Sequence, residues 1–243
     1  VVDGTVLSTM YGETTLFLVP PAKTTGTYYV PYGVTVIGSR TFLKDNKLQF
    51  STIVIPSTVK TIEPDAFVGC SSLKNVIFET AEQSFARKPD KKDGETAPAE
   101  IALTIADNAF SDTQYVESLI LPARLVAMDN IQQFLSQFKL LSSVKIVGSF
   151  EDAAYASLSE KDGGKNIAGM LANADKNEII YCPIGINNGA MQFEVEIPSS
   201  ILSIADHAFD SFDTPKDPAL RKYNPVTKIT FLGGINIGDY AFY

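Results

Sequence analysis

The residues whose types could do chemistry are few. The sequence holds one histidine, His207, two cysteines, Cys70 and Cys182, and three aspartates placed two residues after an isoleucine, Asp107, Asp206 and Asp239. A Ser-His-Asp triad or a Cys-His pair would have to use His207 as its only imidazole base. In equivalent stretches of the chain the slot of His207 is filled by Arg40, Asp65, Asn108 and Tyr240, so it reads as an exposed surface position. The three aspartates could supply the paired carboxylates of a glycosidase. Their recurrence at one position, shared with Ser39 and Pro64, is explained without catalysis if they start a helical turn as N-cap or first-turn residues. The cysteines fit no CxxC spacing and indicate neither a zinc site nor a disulfide framework; both read as small apolar filler. "GGINIG" at 233–238 lacks the order of a phosphate-binding loop, and "DSFDTPKD" at 210–217 lacks EF-hand spacing. The expectation is therefore a non-enzymatic chain with no catalytic, cofactor-binding or metal-ligating residue.

What must position any functional surface is a repeat. "VPYGVTVIGSRTF" (30–42), "IPSTVKTIEPDAF" (55–67) and "IPSSILSIADHAF" (197–209) share one order: apolar, Pro, two variable residues, apolar, two variable residues, Ile, three variable residues, a small residue and Phe. "IADNAF" (105–110) and "IGDYAF" (237–242) are shorter copies, and "LPARLVAMDNIQQF" (121–134) is a degenerate one. Phe42 and Phe67 are 25 residues apart, the triplets Ile53-Val54-Ile55 and Val76-Ile77-Phe78 are 23 apart, and Leu119-Ile120-Leu121 and Val144-Lys145-Ile146 are 25 apart. A period near 24 falls in the leucine-rich-repeat range. Each triplet predicts a short strand, ended where Pro31, Pro56, Pro122 or Pro198 removes the ladder donor. A short helical turn should follow, with Gly69 at its left-handed C-cap. Val59, Ile62, Ala66 and Phe67 should fill the layer between strand and turn.

These stretches, with the "GCSSL" that precedes the strand at 76–78, resemble the BspA-type, or Treponema-type, leucine-rich repeats of bacterial cell-surface proteins. The resemblance implies an α/β repeat solenoid: a curved array with short parallel strands on its concave face and short helical turns on its convex face. It also implies an extracellular or cell-surface protein concerned with adhesion and other contacts, and it does not name a ligand.

Composition agrees with a folded array. The chain of 243 residues is 45% apolar and 20% charged, and its net charge of −8 works against a nucleic-acid partner. No apolar run reaches the roughly 20 residues of a membrane span, so a membrane enters only through an anchor outside this sequence. The chain starts at Val1 without a leader and stops in mid-repeat at Tyr243, which reads as a trimmed form and an incomplete array. "GTVLSTMYGETTLFLVPP" (4–21) and "GMLANADKNEIIYCP" (169–183) each read as two strands about a polar turn, so the pattern restarts. The division expected is 1–148, a first block with its hairpin, and 149–243, an insertion, a second hairpin and further repeats continuous with the first block. Residues 80–100 read as a solvated loop, 151–166 as a short helix with a Gly-Gly loop, and 129–141 as a helix behind Asp129 whose apolar stripe is core.

Strand alternation assigns the functional face. If Ile53 and Ile55 point inward, Val54 points out, and by the same rule so do Ile77, Ile120, Lys145, Glu196 and Thr230. Tyr29 and Tyr32 add aromatic candidates, whereas Tyr28 shares a strand face with Val30 and reads as core. The leading expectation is binding of an extracellular protein, a host or matrix component, through this face; the second is a glycan-binding accessory module of a surface carbohydrate-uptake system.

Overall fold

A computed structural model describes residues 5–19, 25–42, 49–183, 186, 193–209 and 226–242. The stretch 210–217 lies outside the described residues. In chain order the first strands are β1 (Val6–Met10), β2 (Glu13–Leu18), β3 (Thr25–Tyr29), β4 (Val36–Ile37), β5 (Gln49–Ile55), β6 (Thr61–Ile62) and β7 (Asn75–Phe78). Helix α1 (Ala81–Ala86), β8 (Thr104–Ile105), β9 (Ser118–Pro122), helix α2 (Ile131–Ser136) and β10 (Ser143–Val147) follow. The remainder comprises β11 (Tyr155–Ser157), β12 (Leu171–Asn173), β13 (Glu178–Tyr181), β14 (Phe193–Ile197), β15 (Ser203–Ile204), β16 (Val226–Phe231) and β17 (Asn236–Ile237).

The repeats of β3-β4, β5-β6 and β7-β8 each add one strand to each of two sheets, while β9 and β10 extend only the longer-stranded one. The longer strands form a fully parallel sheet in the order β10-β9-β7-β5-β3, and the two-residue strands extend the β1-β2 hairpin in the order β1-β2-β4-β6-β8. Ile53 pairs with Val76 and Val76 with Leu119, while Leu119 pairs with Val144, so the triplets stack in the register their spacing implies. Inward residues from both sheets, among them Ile53, Val76, Leu119 and Val144 on one side and Leu16, Ile37, Ile62 and Ile105 on the other, are buried in one cluster. Strands this short cannot stand alone; each sheet is completed only by its neighbours in the stack.

The Pro-x-x-apolar pattern has a direct cause. The carbonyls of Pro31, Pro56, Pro122 and Pro198 accept the N–H three residues on, from Val34, Val59, Leu125 and Ile201, closing a turn that sends these apolar side chains back into the core. A second four-residue turn follows each repeat's isoleucine: Thr41, Ala66, Ala109, Ala208 donate to Gly38, Glu63, Ala106 and Ala205. Here the sequence reading is corrected. Four-residue turns, and not helical turns, occupy these places; in three of the four, Arg40, Asp65 and His207 take positive φ at the third turn position and end the helical direction within one turn. Only a small residue fits after it before Phe42, Phe67, Phe110 or Phe209 enters the core.

The insertions are corrected too. Residues 80–100 include α1, whose N-terminus is closed by a capping box in which the Gln83 N–H meets Thr80 Oγ1 and the Thr80 N–H meets Gln83 Oε1. Tyr155–Ser157 is a strand, with a single 3-10 turn at Glu160–Asp162. Helix α2 forms but spans only Ile131–Ser136 of the expected 129–141, with Asn130 and not Asp129 as its N-cap; Ile131, Phe134 and Leu135 on it and Phe138 and Leu141 beyond it are all buried.

The two hairpins share a construction. In β1-β2, Val6 faces Leu18 and Leu7 faces Leu16, leaving Phe17 as a bulge; in β12-β13, Leu171 faces Tyr181 and Ala172 faces Ile179, leaving Ile180 as the bulge. Each hairpin then receives a two-residue strand in parallel, β4 on Leu16 and β15 on Ile179.

Candidate interaction surface

The outer side of the long-strand sheet carries two registered rows. Thr27, Thr52, Asn75, Ser118 and Ser143 form a polar row, in which Asn75 Nδ2 donates to Thr52 Oγ1 at 3.2 Å. Tyr29, Val54, Ile77, Ile120 and Lys145 form the second. The structure thus brings five of the sequence-derived candidates onto one line. Tyr29 is 52% exposed, Ile77 and Ile120 are half-buried, and Lys145 is exposed. Val54 departs from expectation: it lies in the row between Tyr29 and Ile77 but is only 6% exposed, so it supports the surface without forming it. Glu196 and Thr230 pair with each other across β14 and β16, a separate two-stranded sheet, and are not joined to the row. Tyr32 is half-buried in the turn after Pro31.

Tyr29 has a neighbour that sequence reading missed. The Arg87 guanidinium sits 4.8 Å from the centre of its ring. Arg87 is held by Glu79, with Nε donating to Oε1 at 2.8 Å and Nη2 to Oε2, and Ser84 Oγ also donates to Glu79 Oε2. Ser84 Oγ in turn accepts the Ser57 N–H at 2.7 Å. Helix α1 is thereby tied to the sheet and delivers a cation beside the row's aromatic end. The signal available in the sequence was the Thr80-x-x-Gln83 box, hidden in a run of charges.

A second unforeseen residue is Arg124, whose side chain is fully buried. Its Nη1 donates to the Val59 and Ile101 carbonyls at 2.7 and 2.9 Å and its Nη2 to Pro56 at 3.5 Å, so it satisfies the turn of a neighbouring repeat. Nε faces Glu100 Oε2 at 3.2 Å without hydrogen-bond geometry, a charge contact only. Desolvation pushes the guanidinium down to about 10, against the opposing pull of Glu100. Glu100 Oε1 accepts the Ala81 N–H at 2.6 Å, which couples Arg124 to the start of α1.

The residues first considered for chemistry are engaged structurally. Asp206 Oδ1 accepts the Asp239 N–H at 2.7 Å and Glu63 Oε2 accepts the Ser39 N–H at 2.8 Å, so acids cap the turn of the adjacent repeat and not a helix of their own. His207 stacks on Tyr240 with ring centres 5.4 Å apart and 8° between planes. Cys70 Sγ donates to the Phe42 carbonyl at 3.3 Å, and burial pushes the thiol up to about 12. Among the described residues no group of three or more His, Cys, Asp or Glu is placed to hold a metal ion. The described residues form a shallow cleft of about 480 Å³ between Gln132 and the β13-β15-β17 edge, and another of about 450 Å³ between α2 and the turn at 107–114, lined by Asp107, Asn108, Asp112, Gln133, Gln137 and Lys139 among others.

Parallel strands added repeat by repeat, with the stacked core rings of Phe42, Phe67 and Phe110, define a stacked repeat protein. Residues 27–88 match the family model described as BspA type leucine rich repeat region, in six copies, and the resemblance read from the sequence holds. Among curated proteins none matches. A leucine-rich repeat protein from Bacteroides capillosus is 21% identical, with 58% of this chain and 93% of that one covered and a TM-score of 0.42. The pneumococcal vaccine antigen PcpA is 18% identical over 98% of this chain and 65% of its own, at a TM-score of 0.42. A leucine-rich repeat protein from Eubacterium ventriosum is also 18% identical, covering 96% and 59%, at 0.47. The chain thus spans less than two thirds of the last two. No helix of the described residues is long and apolar enough to cross a membrane.

Proposed function

We propose that this chain is a non-enzymatic, extracellular or cell-surface repeat protein that binds another protein through the outer face of its long-strand sheet. The observation that carries the reading is the registered row Tyr29, Ile77, Ile120 and Lys145, in which an aromatic ring, two half-buried β-branched residues and a cation line one continuous face. Aromatic and apolar anchors with a charged margin are what a protein interface needs. The test is binding of the purified chain to immobilised extracellular matrix proteins and to a glycan panel, beside a variant carrying Ile77→Asp and Ile120→Asp. Val54 is left intact, since a charge at that buried position would damage the fold. Saturable protein binding, lost in a variant with an unchanged circular dichroism spectrum, supports the reading; binding that survives the double substitution defeats it.

The cleft between α2 and residues 107–114 favours a second reading, a glycan-binding module. Its carboxylates, amides and ammonium match the hydroxyl groups of a saccharide, while it has no aromatic ring among the residues that line it. Glycan binding lost on Asp112→Ala and kept on the Ile77/Ile120 double substitution would promote it.

A further inference from the structure

Between β7 and β8 the chain makes a detour. Phe67 and Phe110 are 43 residues apart, against 25 for Phe42 and Phe67, although their rings stack and β8 pairs directly with β6. Both ends of the detour are anchored. On the α1 side the Ser57 N–H donates to Ser84 Oγ at 2.7 Å and Arg87 holds Glu79. On the far side Arg124 donates to the Ile101 carbonyl, the Leu103 N–H donates to the Arg124 carbonyl at 2.9 Å, and Glu100 Oε1 takes the Ala81 N–H.

Between these anchors the backbone is nearly free. Among the described residues a single backbone hydrogen bond lies within 89–99, from the Glu95 N–H to the Lys92 carbonyl at 3.2 Å, and Lys91, Lys92, Asp93 and Gly94 are exposed in succession. A stretch with unpaired N–H and C=O groups is what an endoprotease cleft takes in, since such clefts bind the substrate strand through its own backbone. The side chains on offer are two adjacent lysines, the type that trypsin-class serine proteases admit beside a buried carboxylate. Other cations are poorer substrates. Lys74 and Lys165 have both backbone groups bonded to neighbouring segments, Lys145 and Lys228 lie in strands, Arg124 is buried, and the bond after Lys88 leads into Pro89, which has no N–H and a hindering ring. One clasp restrains the loop: Lys88 Nζ meets Glu95 Oε2 at 2.7 Å, closing the segment that holds both lysines.

We propose that residues 89–99 are a processing site at which a trypsin-class endoprotease hydrolyses the bond after Lys91 or Lys92 in the folded chain, with the Lys88–Glu95 pair as the clasp that opens first. Water adds across the amide: its oxygen stays on the carbonyl carbon, which becomes the lysine carboxylate, and the nitrogen of the next residue takes up the protons and becomes a new ammonium terminus. The two pieces stay together, because β6 pairs with β8 and β7 with β9 across the cut and Phe67 remains stacked on Phe110. Arg87 lies before the cut and keeps its hold on Glu79, so the Tyr29–Lys145 row survives processing.

The test is limited digestion of the folded chain with trypsin, read by terminal sequencing and mass spectrometry. Within the described residues the first new amino terminus is expected at Lys92 or Asp93, with the two pieces coeluting in size-exclusion chromatography and separating only in guanidinium. Lys91→Gln with Lys92→Gln, folded by circular dichroism, is expected to lose this cut. Glu95→Gln is expected to hasten it by up to about fivefold, beyond any change the substitution makes to cleavage of a synthetic 86–100 peptide, because proteolysis follows the population of the open loop. A first cut elsewhere within the described residues, pieces that separate without denaturant, or an unaltered rate in Glu95→Gln would each overturn the proposal.

Discussion

The ring of Phe67 lies on the ring of Phe110 with centres 4.4 Å apart and 8° between planes, and its other face lies on Phe42 at 4.7 Å. This column runs along the stack, one ring per repeat, and ties together segments 25 and 43 residues apart in the chain. Phe67→Ala is expected to cost about 3–5 kcal/mol, the range for emptying a fully buried aromatic site. Phe242→Ala, at a residue 43% exposed, is expected to cost roughly half as much, since less apolar area is withdrawn from water there. Urea denaturation of both variants checks the pair; a loss under about 1 kcal/mol at Phe67 would show that the column does not carry the core.

That column was legible in the sequence because Phe recurs at one spacing, and the strand register was legible because the triplets do. The turns were not. Ser39, Pro64 and Asp206 suit both a helix N-cap and the second place of a four-residue turn, and only the positive φ of Arg40, Asp65 and His207 decides between them. Helix α1 was masked by the charges around its capping box. Arg124 was hidden in the degenerate copy "LPARLVAM", where a charged residue takes a place no other repeat fills with a charge. On the candidate face, alternation gave the correct side for Val54, but which residues on that side keep contact with water depends on neighbours outside the strand.

Arg124 is a charged side chain fully buried in the stack. Removing it leaves the carbonyls of Val59 and Ile101 without their donor and Glu100 without its cation. Arg124→Ala is expected to destabilise by about 3–5 kcal/mol. Arg124→Lys should recover little, because one ammonium cannot serve carbonyls that the guanidinium reaches as a fork. Arg124→Met combined with Glu100→Gln should recover part of the loss by removing the stranded charge. Thermal and urea unfolding of the three variants measures the order expected: Ala worst, Lys close to it, the double variant best.

Two buried groups give the chain opposite alkaline responses. Cys70 rises from 9.0 to about 12 on folding, so between these values the folded state holds more protons than the unfolded state and stability falls as pH rises. Arg124 falls from 12.5 to about 10, so between these values the unfolded state holds more protons and stability gains as pH rises. The thiol acts first, with a slope of up to about 1.4 kcal/mol per pH unit, and the phenols of Tyr28, Tyr155 and Tyr181, also pushed up by burial, add to the decline as pH nears and passes 10. Cys70→Ala should flatten the start of that decline. The same burial predicts that neither Cys70 nor Cys182 reacts with a thiol reagent until the chain is unfolded, which an absorbance assay in and out of guanidinium reads directly.

The last prediction concerns how α1 shapes the candidate face. Glu79 is 8% exposed and its carboxylate depends on Arg87 and Ser84, while Arg87 also covers the Tyr29 ring. Arg87→Ala removes both functions, stranding a buried carboxylate and uncovering the ring. The expected loss of stability is about 2 kcal/mol, below the 3–5 of a fully buried pair because the Arg87 side chain keeps 30% exposure. Glu79→Gln with Arg87→Ala should restore most of that stability, since no charge is then left unpaired. It should not restore partner binding if Arg87 and Tyr29 act together at the surface, because the cation beside the ring is still missing. Comparing the unfolding midpoint with partner affinity in the single and double variants separates the two roles: recovery of both together would make Arg87 a support for Glu79 alone, and recovery of stability without affinity would place its guanidinium in the interface.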